Sequence, residues 1–162
     1  MQWTDLVGHA KRASGLKAGG WRRNRLAGTF LFVGPDGCGK RTFARLIAKS
    51  LLCPNSPEGE LAPCGRCPSC AQVDASTHPD LIEIAKSPDK ATLPLEAIIG
   101  PPEARRSEGL CHEISLRPYS GRRKVAILDE DYLAVEGANA LLKTLEEPPA
   151  DSVLVLISSS LQ

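Results

Sequence analysis

The chain has no apolar run long enough to cross a bilayer. Its first residues, MQWTDLVGHAKR, lack the apolar stretch of a secretion signal. It also lacks a charge bias. Twenty Lys and Arg stand against nineteen Asp and Glu, a net charge of +1, so bulk charge argues neither for nor against a nucleic-acid partner. No segment repeats. These absences exclude a membrane-spanning helix within these residues and a repeat array, and they lead us to expect a cytoplasmic protein with no membrane partner. At 162 residues the chain is one ordinary domain, 1–162, with length enough for a real core.

What is present begins with a phosphate-binding pattern that has one wrong letter. Residues 34–42 read GPDGCGKRT, directly after the apolar run 29–33, TFLFV. A P-loop has two glycines separated by four residues, then Lys, then Ser or Thr. Gly34, Gly39 and Lys40 obey it, and Arg41 stands in the place of the hydroxyl. The glycines let backbone N–H groups turn toward phosphate oxygens, and the helix that follows points its positive end there. The candidate nucleotide-binding residues are therefore Gly34, Pro35, Asp36, Gly37, Cys38, Gly39, Lys40, Arg41 and Thr42. ATP is the candidate nucleotide, with Lys40 on its outer phosphates. A plain glycine turn between strand and helix is the alternative.

Arg41 changes the energetics of such a site. A hydroxyl is a neutral oxygen ligand for Mg²⁺. A guanidinium has only donors and a fixed positive charge, so it cannot coordinate the ion. Thr42 is turned by about 100° along the helix and does not substitute without a register change. Arg41 either swings outward or points in and meets phosphate charge without metal. Weak or absent hydrolysis is the expectation either way. The partner half of the site is Asp129, at the end of the apolar run 124–129, with Glu130 after it. Asp129 suits water-mediated Mg²⁺ binding, and Glu130 suits polarisation of an attacking water. Acidic residues that merely end a strand are the simpler alternative.

Six cysteines are many for a reducing compartment, and four of them cluster as Cys53-x₁₀-Cys64-x₂-Cys67-x₂-Cys70. Clustered cysteines there read as metal ligands before disulfides. Four thiolates close a Zn²⁺ shell and leave no position for water, so the zinc would be structural. His78 follows closely as a rival ligand, and a role as lead into the next strand is preferred. Cys38 and Cys111 remain as small or buried residues.

Apolar periodicity predicts strands at 29–33, 80–84, 124–129 and 152–157, and helices at 41–52, 103–115 and 135–147. A short basic helix is expected over 9–20. Residues 53–79 carry so many Pro and Gly that no regular structure is expected. Alternating strands and helices mean an α/β domain, a parallel sheet flanked by helices, with an inserted four-cysteine zinc knuckle at 53–79. Six basic residues between Lys11 and Arg25, and Arg105, Arg106, Arg122, Arg123 and Lys124 farther on, are candidates for phosphate contact or simply a solvated surface.

The segments WTDLVGH, LFVGPDGCGKRTFA, CGRCPSC, THPDLIEI, SLRPYSGRRKVAILDE and above all GANALLKTLEEPP resemble the first domain of bacterial DNA polymerase III clamp-loader subunits. The resemblance runs from Trp3 to the end and is thinnest over 88–110. It implies an AAA+ P-loop NTPase fold and a hetero-oligomeric ring of clamp-loader subunits that places the sliding clamp on primed DNA. Gly-Lys-Arg-Thr looks like the delta-prime branch, which organises the complex without hydrolysing ATP. The gamma/tau branch, which hydrolyses it, is the alternative. A zinc-stabilised interaction module with a vestigial P-loop is another. The resemblance also implies a sensor residue in Ser158-Ser159-Ser160, taken as Ser159. It further implies that the fold is incomplete at the C-terminus, since the Ser-Arg-Cys motif, the fifth strand, the lid and the collar are expected beyond Gln162.

Overall fold

Two of the predicted strands, the runs at 124–129 and 152–157, are apolar at nearly every position, and a strand can carry that only when both its faces are covered. The computed structural model describes residues 28–160 apart from 58–59, 86–88, 90–91 and 106. In it these two runs are the centre of a four-stranded parallel sheet. The strands are β1 (Gly28–Val33), β2 (Leu81–Ile84), β3 (Lys124–Asp129) and β4 (Ser152–Ser158), in the order β1-β4-β3-β2. The alternation of a strand sorts the core. Val125, Ile127, Val153, Val155 and Ile157 face one side, and Ala126, Leu128, Leu154 and Leu156 face the other.

The first side is covered by α1 (Lys40–Leu52), whose Phe43, Ala44, Ile47, Ala48 and Leu51 recur at helical spacing. The rings of Phe32 and Phe43 meet edge to face, 5.4 Å between centroids. Each aliphatic side chain buried here stabilises the fold by about 1.5–3 kcal/mol, and Ile47→Ala would cost about 2–5 kcal/mol. The second side is covered by Ile98 of α3 (Leu95–Ile99), Leu110 and Ile114 of α4 (Leu110–Ser115) and Leu141 of α5 (Val135–Glu146). The remaining helix, α2 (Pro68–Asp74), lies against α1 within the cysteine segment.

Strands and the long helices fall within one residue of expectation. Two segments differ. The helix expected over 103–115 begins only at Leu110. Gly109 sits at φ 86° and ψ 169°, and a side chain there would put its Cβ 2.3 Å from the Gly100 nitrogen. The chain therefore passes through a tight backbone crossing before α4, and Pro102–Ala104 is a separate 3₁₀ turn. The other difference is α2, in a stretch expected to be irregular. Pro68 occupies its first turn, where a missing N–H costs nothing, and the Cys67 sulfur accepts the Cys70 N–H as its cap. The basic helix expected at 9–20 lies outside the described residues, as do Lys11 to Arg25 and Arg106.

Candidate functional site

A parallel sheet gathers the carboxyl ends of its strands on one edge, and ligands of such sheets bind there. Because β4 lies between β1 and β3, the exits of all three are neighbours: the glycine loop 34–39, Asp129 and Ser158. The Gly34 N–H donates to the Ser158 carbonyl (3.1 Å) and fastens the start of the loop to the end of β4. The loop turns through Gly37 (φ 76°) and Gly39 (φ 90°), both in the left-handed region where glycine alone is unstrained. Gly39 is also the N-cap of α1. No side chain caps that helix, and its first turn holds no acidic residue, so its leading N–H groups are available to an anion. The Lys40 ammonium lies across the loop, donating to the carbonyls of Gly34 (2.5 Å) and Pro35 (2.9 Å), 3.7 Å from an Asp36 carboxylate oxygen. Cys38 and Thr42 are half-buried beside it.

Arg41 points inward. Its Nη2 donates to Asp129 Oδ2 at 2.5 Å. The residue in the place of the metal's hydroxyl and the carboxylate suited to the metal are bound to each other. This donor set does not fit Mg²⁺, because a guanidinium holds only N–H donors, occupies one oxygen of the carboxylate and brings a positive charge against the ion. Glu130 opens the 3₁₀ turn Glu130–Tyr132, and its Oε2 is buried with no hydrogen-bond partner among the described residues.

Asp131 was not anticipated. It carries the end of β4. One carboxylate oxygen lies 2.7 Å from the Ser158 hydroxyl, and the other accepts the Ser159 N–H at 2.7 Å. Desolvation pushes its pKa up, but these hydrogen bonds, with help from the Lys40 charge, outweigh it and hold the carboxyl below its ordinary value. The inward-facing hydroxyl is that of buried Ser158, also 2.7 Å from the Ser160 carbonyl, whereas Ser159 is exposed and contributes its N–H. The sequence signal was the third acid of Asp129-Glu130-Asp131.

The four cysteines of the knuckle come together. The sulfurs of Cys53, Cys64, Cys67 and Cys70 all lie within 4.8 Å of one another, with Cys53 3.6 Å from Cys64 and 3.8 Å from Cys67. Thiolates placed tetrahedrally around Zn²⁺ at about 2.3 Å would be about 3.8 Å apart, so the set fits a structural zinc. Cys64 is drawn down to about 5 by the Arg66 N–H and by the Asn55 amide, which lies 3.5 Å from its sulfur. Desolvation pushes Cys67 and Cys70 up. The metal would cross-link the segment; no open coordination position remains for chemistry. His78 is elsewhere: its Nδ1 accepts the Asp80 N–H (3.1 Å).

The knuckle is tied to the rest of the domain. Arg45 donates to the Val73 carbonyl (2.6 Å), and Lys49, buried, pairs with Asp74 (2.6 Å). Arg122 donates to the Cys53 carbonyl and to that of Ser56 (3.3 Å). Lys124 is buried and donates to the Glu113 carbonyl (2.7 Å). These last two cations were candidates for DNA phosphate and are instead bonded within the fold.

A family model described as DNA polymerase III, delta subunit, matches residues 12–162. The tau/gamma subunit of DNA polymerase III from Haemophilus influenzae is 36% identical over 91% of this chain and 19% of its own length. The delta' subunit from Pseudomonas aeruginosa is 35% identical over 96% of this chain and 40% of its own. The delta' subunit from Bacillus subtilis is 31% identical over 100% and 45%. The chain thus spans less than half the length of each. A solved DNA polymerase III gamma subunit-related protein from Thermotoga maritima aligns over 82% of this chain and 35% of that one, with 22% identity and a TM-score of 0.49.

Proposed function

Since the chain belongs to the DNA polymerase III delta-subunit family, we propose that it is a delta-prime-like subunit of the clamp-loader complex that does not hydrolyse ATP itself. In this reading residues 1–162 form an AAA+ domain with a structural zinc in the 53–79 knuckle. It works in the cytoplasm, in a hetero-oligomeric ring with other clamp-loader subunits, and the ring places the sliding clamp on primed DNA during replication. Loop residues Gly34 to Thr42 face the nucleotide, Lys40 meets its outer phosphates, and Asp129 and Glu130 keep their places without their usual catalytic work.

Identity does not separate the branches, because tau/gamma and delta' relatives are equally similar. The observation that favours the delta-prime reading over gamma/tau is the Arg41–Asp129 pair at 2.5 Å. Hydrolysis at a P-loop rests on a metal that bridges the outer phosphates and neutralises the developing charge. Here the carboxylate at the end of β3 neutralises a guanidinium instead.

The test is the reconstituted complex. Leaving out this subunit should abolish clamp loading, while Lys40→Ala in this subunit alone should leave DNA-stimulated ATPase unchanged. A fall in turnover with Lys40→Ala would make it a motor subunit of the gamma/tau kind. Loading that survives without the subunit would overturn its role in the ring.

A further inference from the structure

The misfit between Arg41 and Mg²⁺ has a positive counterpart. We propose that the glycine loop binds a nucleoside di- or triphosphate in its metal-free form, with the Arg41 guanidinium serving as the counter-charge that a divalent cation supplies elsewhere. This rests on the nucleotide-binding reading of the loop given above.

A phosphate-bound cation has two electrostatic tasks in such a site. It shields the phosphate from the carboxylate at the end of β3, and it neutralises the outer phosphate oxygens. Arg41 performs the first in place, since its Nη2 is 2.5 Å from Asp129 Oδ2. It is equipped for the second. A guanidinium has five N–H donors in a planar fork, and the bond to Asp129 uses one. Its side chain keeps 35% of its surface exposed, at the start of the helix whose leading amides have no side-chain acceptor. Lys40 is the adjacent residue, and its ammonium rests on loop carbonyls from which an anion would draw it. Two cations and a helix N-terminus therefore line the edge of the sheet between the exits of β1 and β3. None of them donates an electron pair to a metal. A metal carried in on the phosphates would face the guanidinium, so Mg²⁺ should leave binding unchanged or weaken it.

The experiment is calorimetric titration of ADP and ATP into the full-length protein, in EDTA and in millimolar Mg²⁺. Binding in EDTA should be as tight as in Mg²⁺ or tighter. Lys40→Ala should weaken it under both conditions. Arg41→Thr should lose about tenfold or more in EDTA, as expected for one charge-assisted hydrogen bond, and regain affinity when Mg²⁺ is added. Asp129→Asn releases the guanidinium and should raise metal-free affinity, the opposite of its effect at a metal-served site. Circular dichroism of each variant checks that the fold is kept. Binding of the unaltered protein that needs Mg²⁺ overturns this inference and leaves the loop as a nucleotide site. Binding that ignores Lys40→Ala, or is absent under every condition, overturns the nucleotide reading itself. Failure of the clamp-loading assay would touch neither result.

Discussion

The glycine loop and the cysteine knuckle sit at opposite ends of one helix. Gly39 caps the start of α1, and Cys53, the first cysteine of the cluster, caps its end. Both regions carry patterns that hold metals, and they have opposite fates. In the knuckle all four donors are of the right kind, and the fold brings their sulfurs within 4.8 Å of one another. In the loop a cation stands where the pattern has a hydroxyl, and the acid at the end of β3 turns to it. A metal pattern is thus only as good as its least compatible ligand. The knuckle offers four thiolates that a metal could hold together, whereas the loop carries a fixed positive charge where a metal ligand would stand.

The largest effect should follow from removing the knuckle's metal. A chelator, or Cys70→Ser, should abolish the zinc, expected at one per chain, and with it the ordered segment 53–79. Zinc-finger peptides derive about 10–16 kcal/mol from such a site. A thermal transition that is unchanged after metal removal would break the comparison at its stronger end.

An intermediate effect is expected at Asp80, where the knuckle rejoins the sheet. This carboxylate is fully buried and accepts the N–H groups of Tyr119 (2.7 Å) and Ser120 (2.8 Å). Desolvation raises its pKa, but these bonds prevail and hold it below the ordinary value. Its contribution is therefore complete above the usual carboxylate range and is lost as pH falls toward the lower folded value. Asp80→Ala should cost about 1–3 kcal/mol near neutral pH by leaving the Tyr119 and Ser120 N–H groups without their acceptor. Urea denaturation at a series of pH values should show a shallower acid slope in Asp80→Asn. An unaltered slope would remove Asp80 from the account.

The smallest effect on the fold should come from the pair that matters most to the site. Arg41 and Asp129 are partly exposed, 35% and 20%, and such pairs contribute about 0–1 kcal/mol. Arg41→Ala should melt nearly with the parent while changing nucleotide affinity. A collapse in stability would place the pair beside the knuckle as a structural element.

Much of the frame was readable in advance because β3 and β4 are apolar on both faces and α1 and α5 repeat their apolar residues at helical spacing. Segments that depend on one local geometry were not. Pro68 reads as a helix breaker and proves to be a helix starter, since only its position relative to the Cys67 cap decides. Gly109 looks compatible with a helix until its backbone is seen against that of Gly100. At the site, the residue types were legible but their directions were not. Whether Arg41 swings in depends on where α1 begins relative to the end of β3. Asp131 was missed because its partners lie across the sheet, on β4, a contact created by strand order. Arg122 and Lys124 read as surface charge for the same reason, since their acceptors are distant carbonyls.

The most direct measurement is electron paramagnetic resonance of Mn²⁺ titrated into the full-length protein with ADP present. The unaltered chain should hold no Mn²⁺, and Arg41→Thr, which restores the hydroxyl, should hold one per chain. Stoichiometric Mn²⁺ held by the unaltered chain would contradict it, because the guanidinium could not then be occupying the metal's place.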